Sequence, residues 1–500
     1  MNPPPSALDR AIAHPEPVAG VGPTSPMSGL ERRSLGFGDV LAQSVSAMAP
    51  CAAAATIPAI LAVRSGGDGL LAAVLGVVLI LLTAATINQF TQRMATAGSL
   101  YTFTAKGLGA TAGFVSGSAL VLGYGFIAMY ALVCVGAQVS NLLSYFGFAP
   151  DPTVVSLVCV LVCAAGCAVV MVRGVRLSAR VSLLIESVAV ALLVVLIVAL
   201  FLRQGGVSVA ALVPRQVSAG QLVAGVVIAM TAFVGFESAA SLSVETRKPF
   251  ATVPRVLTWS PIAAGVLVVA ATAVQTTGFE AANVALDGAP APVSTLANFY
   301  GVAWITPLLD LGVAASFVAC ALASTTALVR VLLALGIDGV LPAAVGRTHP
   351  RFKTPHIALY ATMPVITAVP VVLLLAGVTS TQTFGILLAV SAGGYVLAYA
   401  LVCVSAVAFL RRIGELTLRP ALTAVGTALL LGGCLLVFLV TEARSPRAWG
   451  VWLLLGCLAL SLAWFVRARL RMDPTSIGTH DIPIHDEVLG GVPVEPTRRP

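Results

Sequence analysis

Long apolar stretches separated by short polar segments dominate the 500-residue chain. Most stretches reach about 20 residues, the length that a helix needs to cross the hydrocarbon core of a bilayer. They are rich in Leu, Val and Ala, which is typical of helices and unlike the alternating pattern of barrel strands. The pattern predicts an all-α integral membrane protein with about twelve transmembrane helices, near residues 38–63, 70–88, 111–145, 153–172, 182–202, 220–243, 257–278, 303–335, 357–377, 382–410, 420–441 and 449–466.

Composition and charge agree with a membrane protein. Hydrophobic residues make up 58% of the chain and charged residues 10%, against roughly a quarter charged in an ordinary globular domain. Most of the 28 Lys and Arg residues fall in segments on the same side as the amino terminus. Positive charge is retained in short cytoplasmic loops, so both termini are predicted to be cytoplasmic, in the cell membrane. Topology and anionic lipid thereby explain the net charge of +8 without nucleic acid.

The two ends of the chain are predicted to be tails. Residues 1–37 form a cytoplasmic tail whose start lacks the apolar core of a cleavable signal peptide. Residues 472–500 are polar, of mixed charge and contain proline, which predicts a disordered cytoplasmic tail. Neither tail has the composition of a catalytic module.

Cysteine and histidine usage argues against an enzyme, a cofactor or a metal site. The nine cysteines lie in predicted spans, where they act as small apolar residues, and the five histidines lie in loops or tails. Cys159, Cys163 and Cys167 share a helical face, but neither histidine nor a carboxylate accompanies them. The spans therefore offer no converging nucleophile, base or metal ligands.

Two of the predicted spans are interrupted near mid-membrane. The first contains Pro50 followed by small residues, and the sixth contains Gly235 close to Glu237. Proline removes a backbone hydrogen bond and strains the preceding turn. Interrupted helices five spans apart point to a transporter built of inverted repeats, although ordinary proline and glycine kinks are the alternative.

Three carboxylates lie within predicted spans, where ionisable groups are costly and usually functional. They are Glu186 in span five, Glu237 in span six and Asp310 in span eight. Each is a candidate for reversible proton binding. The alternative for Glu186 is a structural pair with Arg180 or Arg330.

Three groups of residues resemble the permeases of the amino acid–polyamine–organocation (APC) superfamily. They are 92–103 with 107–109, 233–238 with 245–249, and 323–325 through Arg330 to 338–342 and 351–355. Together they extend over residues 38 to about 410 in the order of that family. The resemblance implies a five-plus-five, LeuT-like inverted repeat with broken helices one and six. The first repeat is then 38–203, the second 204–411, and two further spans occupy 412–471.

The resemblance also implies where a substrate binds. In such permeases it lies between the two breaks, and the backbone amides of Cys51, Ala52 and Ala53 are then suited to a carboxylate. Carbonyl groups near the ends of the first half-helices are suited to an ammonium group, and aromatic residues form walls or gates. These candidates are Ala47, Met48, Ala232 and Phe233 for the carbonyls, Phe233 and Phe236 for the walls, and Tyr124, Tyr395 and Tyr399 as weaker aromatic candidates. Thr231 is a further candidate for the substrate site and stands where several members have an aromatic gate.

Substrate and coupling ion remain open at the level of sequence. Glu186 and Glu237 favour protons, whereas the hydroxyls of Ser324 and Thr325 are candidates for a sodium site. The small, apolar lining favours a small neutral amino acid carried by alternating access. A polyamine or other amine permease and an exchanger are the alternatives, and a channel or receptor fits the paired breaks less well. The sequence leaves the oligomeric state undetermined.

Overall fold

The computed structural model of the chain describes residues 24–65, 68–207, 218–283, 292–444, 448–469 and 477–484. These residues form α-helices and two short 3₁₀ helices, with one isolated bridge between Leu35 and Thr246. The α-helices are α1 (Phe37–Met48), α2 (Pro50–Arg64), α3 (Gly69–Thr91), α4 (Leu100–Leu108), α5 (Ala110–Tyr145), α6 (Pro152–Val172), α7 (Val175–Arg203), α8 (Ala219–Thr231), α9 (Pro249–Ala282), α10 (Pro292–Phe299), α11 (Thr306–Ile337), α12 (His356–Leu375), α13 (Ser380–Arg412), α14 (Leu418–Ala443) and α15 (Ala448–Arg469). The 3₁₀ helices are Phe236–Leu242 and Ala303–Ile305.

Twelve helical segments in the described part of the chain are long and apolar enough to cross a membrane. Span one consists of α1 and α2, and span six consists of α8 and the 3₁₀ helix Phe236–Leu242. The other ten spans are α3, α5, α6, α7, α9, α11, α12, α13, α14 and α15 in chain order, with α11 preceded by the short 3₁₀ helix. Each predicted apolar stretch coincides with one of them, so the predicted all-α membrane fold is confirmed.

Spans three and eight form the centre of the bundle. In their most apolar 18-residue windows, 83% and 89% of the positions are buried, against 22% in spans eleven and twelve. A helix buried on all sides belongs inside a bundle, whereas a helix with an apolar exposed face meets lipid. The functional site should therefore lie beside α5 and α11, and α14 and α15 lie at the periphery.

The predicted interruption of span one is present. Ala49 adopts a left-handed conformation with φ 49° and ψ 60°, and Pro50 is the first residue of α2. Proline suits this first position because its missing N–H would have no helical acceptor there. A non-glycine residue in the left-handed region is unfavourable and persists only where the surroundings enforce it. A single left-handed residue, Ala49, therefore separates the two half-helices α1 and α2.

The predicted interruption of span six is also present, and it contacts the first. α8 ends at Thr231, and Gly235 (φ 95°) precedes the 3₁₀ helix. A Cβ atom at Gly235 would lie 2.9 Å from the Cβ of Ala47. The two breaks therefore pack directly against each other, and this close approach requires a glycine.

Segments close to both chain ends meet on one face of the bundle. Asp481 forms ion pairs with Arg32 (3.0 Å) and Arg33 (3.2 Å), and its backbone N–H donates to the carbonyl of Ala95. This part of the structure differs from the expected disordered tail at 472–500, because these ion pairs and this backbone hydrogen bond hold residues 477–484. Residues 1–23 and 485–500 of the two predicted tails lie outside the described residues.

Candidate functional site

A cavity lies where the two broken helices meet. In this conformation the cavity is narrow, with a volume of about 40 Å³. Six of the predicted substrate-site residues line it, and the remaining lining comes from spans one, three, six, eight and ten. The predicted members are Ala47, Met48, Ala52, Ala53, Thr231 and Ala232; the others are Ala49, Thr56, Ile57, Ile127, Tyr130, Val234, Phe317, Cys320 and Leu388. The structure thus brings most of the candidate positions to one cavity.

Three predicted site residues lie outside the cavity lining. Phe233 and Phe236 are fully buried, and Phe236 packs against Tyr399 with ring centroids 5.8 Å apart. Cys51 is also buried, and its Sγ atom lies 3.2 Å from the carbonyl oxygen of Ala189. In this conformation the two phenylalanines pack in the protein interior around the break of span six.

The first amides of α2 donate hydrogen bonds to protein side chains. The amide of Cys51 donates to Oε1 of Glu186 at 3.0 Å, and that of Ala52 donates to the hydroxyl of Ser316 at 3.3 Å. Pro50 has no N–H to offer. The positive end of this half-helix, which the family resemblance assigns to a substrate carboxylate, therefore holds the carboxylate of Glu186 here.

Glu186 forms no ion pair with Arg180 or Arg330, the two arginines that were its predicted alternative partners. It is 1% exposed, and its Oε2 atom has no hydrogen-bond partner among the described residues. Arg330 instead pairs with Glu245 at 2.7 Å, and Arg180 lies 3.7 Å from Asp39. In this conformation Glu186 therefore pairs with neither of the two arginines.

Glu237 accepts hydrogen bonds from two tyrosines on opposite sides. The hydroxyl of Tyr124 on α5 donates to Oε1 at 2.7 Å, and that of Tyr399 on α13 donates to Oε2. Tyr395 lies between them, edge-on to Tyr124 at 5.3 Å, and its hydroxyl has no partner in the described chain. No ion pair to Glu237 is present among the described residues. The weaker aromatic candidates thus surround a membrane-buried carboxylate and do not line the cavity.

The two candidate sodium ligands lie on α11. Thr325 donates to the carbonyl of Ala321 in its own helix at 2.7 Å, as hydroxyls in membrane helices usually do. Ser324 is fully buried, 3.9 Å from the sulfur of Cys320, which in turn lies 3.3 Å from the carbonyl oxygen of Ala47. Asp310 lies in the first part of the same helix, away from the residues that line the cavity.

The prediction did not include the aromatic and aliphatic residues that line one wall of the cavity. Tyr130 packs edge-on against Phe317 at 5.8 Å and against Phe384 at 6.0 Å. Ile127 and Leu388 complete this wall. Their spans are apolar on all sides, so the sequence carries no periodic signal that distinguishes a cavity face from a packed one.

The fold and the site define a class of protein: a multi-pass membrane transporter with a central cavity between two broken helices. The family follows from sequence comparison. Residues 35–463 match the amino acid permease family, and the chain belongs to it.

Individual relatives are distant. The chain is 26% identical over 466 residues to the branched-chain amino acid permease BcaP of Lactococcus lactis, covering 87% of this chain and 93% of that protein. It is 24% identical over 314 residues to BcaP of Bacillus subtilis, covering 60% and 66% respectively. It is 23% identical over 284 residues to the low-affinity putrescine importer PlaP of Escherichia coli, covering 55% and 61%. Two of these three alignments thus span less than two thirds of the relative's length.

Proposed function

We propose that this protein is a secondary active transporter of small neutral amino acids, with an aliphatic side chain preferred. The observation that carries the proposal is the cavity at the two breaks, whose lining residues include no charged side chain. Transport proceeds by alternating access between the two inverted repeats, 38–203 and 204–411.

An amino acid fits this lining better than a diamine. Carbonyl groups at the ends of α1 and α8 are suited to the α-ammonium group, since the last carbonyls of a helix lack partners within it. Ile57, Ile127 and Leu388 provide an apolar wall for an aliphatic side chain. The second ammonium group of a diamine would have no counter-ion there, which is costly in a site of low dielectric. Two BcaP relatives named for branched-chain amino acids agree with this preference.

Coupling to protons is proposed to run through Glu186. The carboxylate of Glu186 and the α-carboxylate of a substrate are suited to the same positive helix end at Cys51. Two carboxylates cannot share one small site while both are charged. Protonation of Glu186 would remove its negative charge and weaken its hydrogen bond to the amide, so that proton and amino acid bind together. Glu237, held by two tyrosines, is the second candidate, and a sodium site at Ser324 and Thr325 is the alternative.

The protein is proposed to reside in the cell membrane with both termini in the cytoplasm. Residues 25–36 and 477–484 form hydrogen bonds with the basic loops after spans two, four, six and eight, so all of these segments lie on one face. Excess positive charge marks the cytoplasmic side of membrane proteins. The cavity at the breaks would then lie on the outer side of Glu237 and its tyrosines.

Counterflow in proteoliposomes tests the proposal. Vesicles loaded with unlabelled leucine should accelerate uptake of labelled leucine, and loading with putrescine should not. Without acceleration by any internal amino acid, the carrier assignment fails. Acceleration by putrescine alone would show that the protein carries a diamine. An imposed inward proton gradient should drive accumulation in the absence of sodium; accumulation that requires sodium would replace the proton proposal.

A further inference from the structure

A lipid-facing groove runs between spans four and nine. The groove is lined by residues of α6 and α12 only and has a volume of about 480 Å³. Ala164, Ala165 and Ala168 form one wall, and Met363, Pro364 and Thr367 form much of the other. Small side chains on α6 leave the space, and Pro364 on α12 adds no polar side chain to it. The groove lies within two candidate membrane spans, and most of its lining side chains are apolar.

A basic pocket lies near the same two helices, at the end where α6 stops and α12 begins. The amino-terminal segment lines this pocket too, through Glu31, Ser34 and Leu35. Arg173 directly follows α6, Arg176 lies in the first turn of α7, and Arg351 precedes α12 by five residues. All three arginines line one polar pocket with a volume of about 180 Å³. From Ala168 to Arg173 the helix advances by only about 7 Å. Along the helix axis the pocket is therefore within reach of a single lipid molecule that occupies the groove.

The charges of this pocket are not balanced. All three arginines are exposed, and Arg173 and Arg351 have no ion pair among the described residues. Arg176 donates to the carbonyl of Ser34 at 3.0 Å and lies 4.0 Å from Glu31. The second carboxylate of the pocket, Glu245, is already neutralised by Arg330. An excess of positive charge remains in the pocket.

We propose that spans four and nine bind an anionic phospholipid, with its phosphate at Arg173, Arg176 and Arg351 and an acyl chain in the groove. Guanidinium groups bind phosphate oxygens in a planar, two-pronged geometry. Basic pockets between membrane helices on the cytoplasmic side are suited to anionic head groups. The bound lipid would join the loops after spans four and eight to the segment that leads into span one, since Ser34 and Leu35 line the same pocket.

Native mass spectrometry of the full chain tests the head-group contact. Phosphatidylglycerol is titrated into detergent-solubilised protein, with phosphatidylcholine as the neutral-headgroup comparison. The variant Arg173→Gln/Arg351→Gln should bind the first phosphatidylglycerol roughly tenfold more weakly, because each arginine contributes to anionic-lipid binding. Arg419→Gln, which changes an exposed arginine after span ten, should bind it like the unchanged protein. Equal affinity in the double variant and the unchanged protein overturns the proposal.

Two further measurements separate lipid from free phosphate. Ala165→Trp, which fills the groove without a change of charge, should also weaken phosphatidylglycerol binding, whereas Val169→Trp on the exposed side of α6 should not. Competition by glycerol phosphate at the affinity of the intact lipid would show an anion site and overturn the lipid assignment. In the unchanged protein, phosphatidylglycerol with a photoreactive acyl chain should label residues 161–171 and 359–371. Labelling confined to other spans overturns the proposal even where a variant fails to fold.

Discussion

Oε1 of Glu186 lies 3.0 Å from the backbone nitrogen of Cys51 and accepts its hydrogen bond. This contact links span five to the start of α2 in the break of span one. The family resemblance assigns this helix end to the substrate, whereas in this conformation a side chain of the protein occupies it. Competition between the two carboxylates leads to the first prediction.

Glu186→Gln should separate substrate binding from proton coupling. Glutamine keeps an oxygen acceptor for the amide of Cys51 but can neither carry charge nor release a proton. We expect counterflow of leucine to persist and accumulation driven by a proton gradient to be lost, because the variant carries no proton with the substrate. Both activities are measured in the same proteoliposomes.

Asp310→Asn is the matched control for this variant, because Asp310 is a buried carboxylate of span eight outside the cavity lining. It should leave both counterflow and accumulation close to those of the unchanged protein. Full proton-driven accumulation by Glu186→Gln would exclude Glu186 as the coupling group. Coupling through Glu237 would then be tested by Glu237→Gln, which should lower transport much more than membrane abundance.

The tyrosines around Glu237 should stabilise the fold unequally. Tyr124→Phe and Tyr399→Phe each leave a fully buried carboxylate oxygen without its tyrosine donor. Each should lower the free energy of unfolding by about 1–3 kcal/mol, the cost of an unsatisfied buried polar group. Tyr395→Phe removes a hydroxyl that has no partner in the described chain, so it should cost little. Thermal unfolding in detergent gives the order, and an equal loss in all three variants would contradict it.

Gly235→Ala should disrupt the contact between the two breaks. The added Cβ would lie 2.9 Å from that of Ala47, and the backbone at φ 95° is unfavourable for alanine. We expect a loss of about 1–3 kcal/mol in stability from the strained backbone, with a further steric cost. Gly426→Ala on α14, where no atom lies within 4 Å, is the control.

A second substitution distinguishes the steric cost from the backbone cost. Ala47→Gly in the Gly235→Ala background removes the facing Cβ, and it should recover part of the lost melting temperature. No recovery would mean that the backbone conformation alone requires glycine. Unchanged stability of the single variant would show that the close approach is absent in the membrane.

Attachment of residues 477–484 should weaken in acid. Burial, followed by the charge of Lys106, lowers the pKa of His480 below its ordinary value, which is about 6.5. The attached segment therefore binds fewer protons than the released one. Its attachment is strongest above the ordinary pKa and is progressively lost as pH falls below it. Hydrogen-exchange protection of 477–484, corrected for intrinsic rates, should fall between about pH 7.5 and pH 5.5.

His480→Asn should remove this pH dependence while the ion pairs of Asp481 with Arg32 and Arg33 remain. Asp481→Asn should release the segment at every pH. Protection that rises in acid would reverse the sign of the His480 effect and refute the prediction.

The spans and their two breaks could be predicted because their signals are local. Hydropathy over about 20 residues sets a span, and Pro50 and Gly235 mark the interruptions by their own backbone chemistry. The partners of the buried charges could not be predicted. Cys51 and Glu186 are 135 positions apart, and Arg330 and Glu245 are 85 apart. Helices that are apolar on every side give no periodic signal of which face meets which neighbour.

The attached segment near the carboxyl end has a consequence for the order of assembly. Asp481 accepts a hydrogen bond from Arg32, which precedes it by 449 positions, and the amides of Gly478 and Thr479 donate to Asp338 after span eight. A ribosome delivers these residues only after all twelve spans have been made. The face that carries both terminal segments is therefore completed last, and every nascent or prematurely ended chain leaves it uncovered.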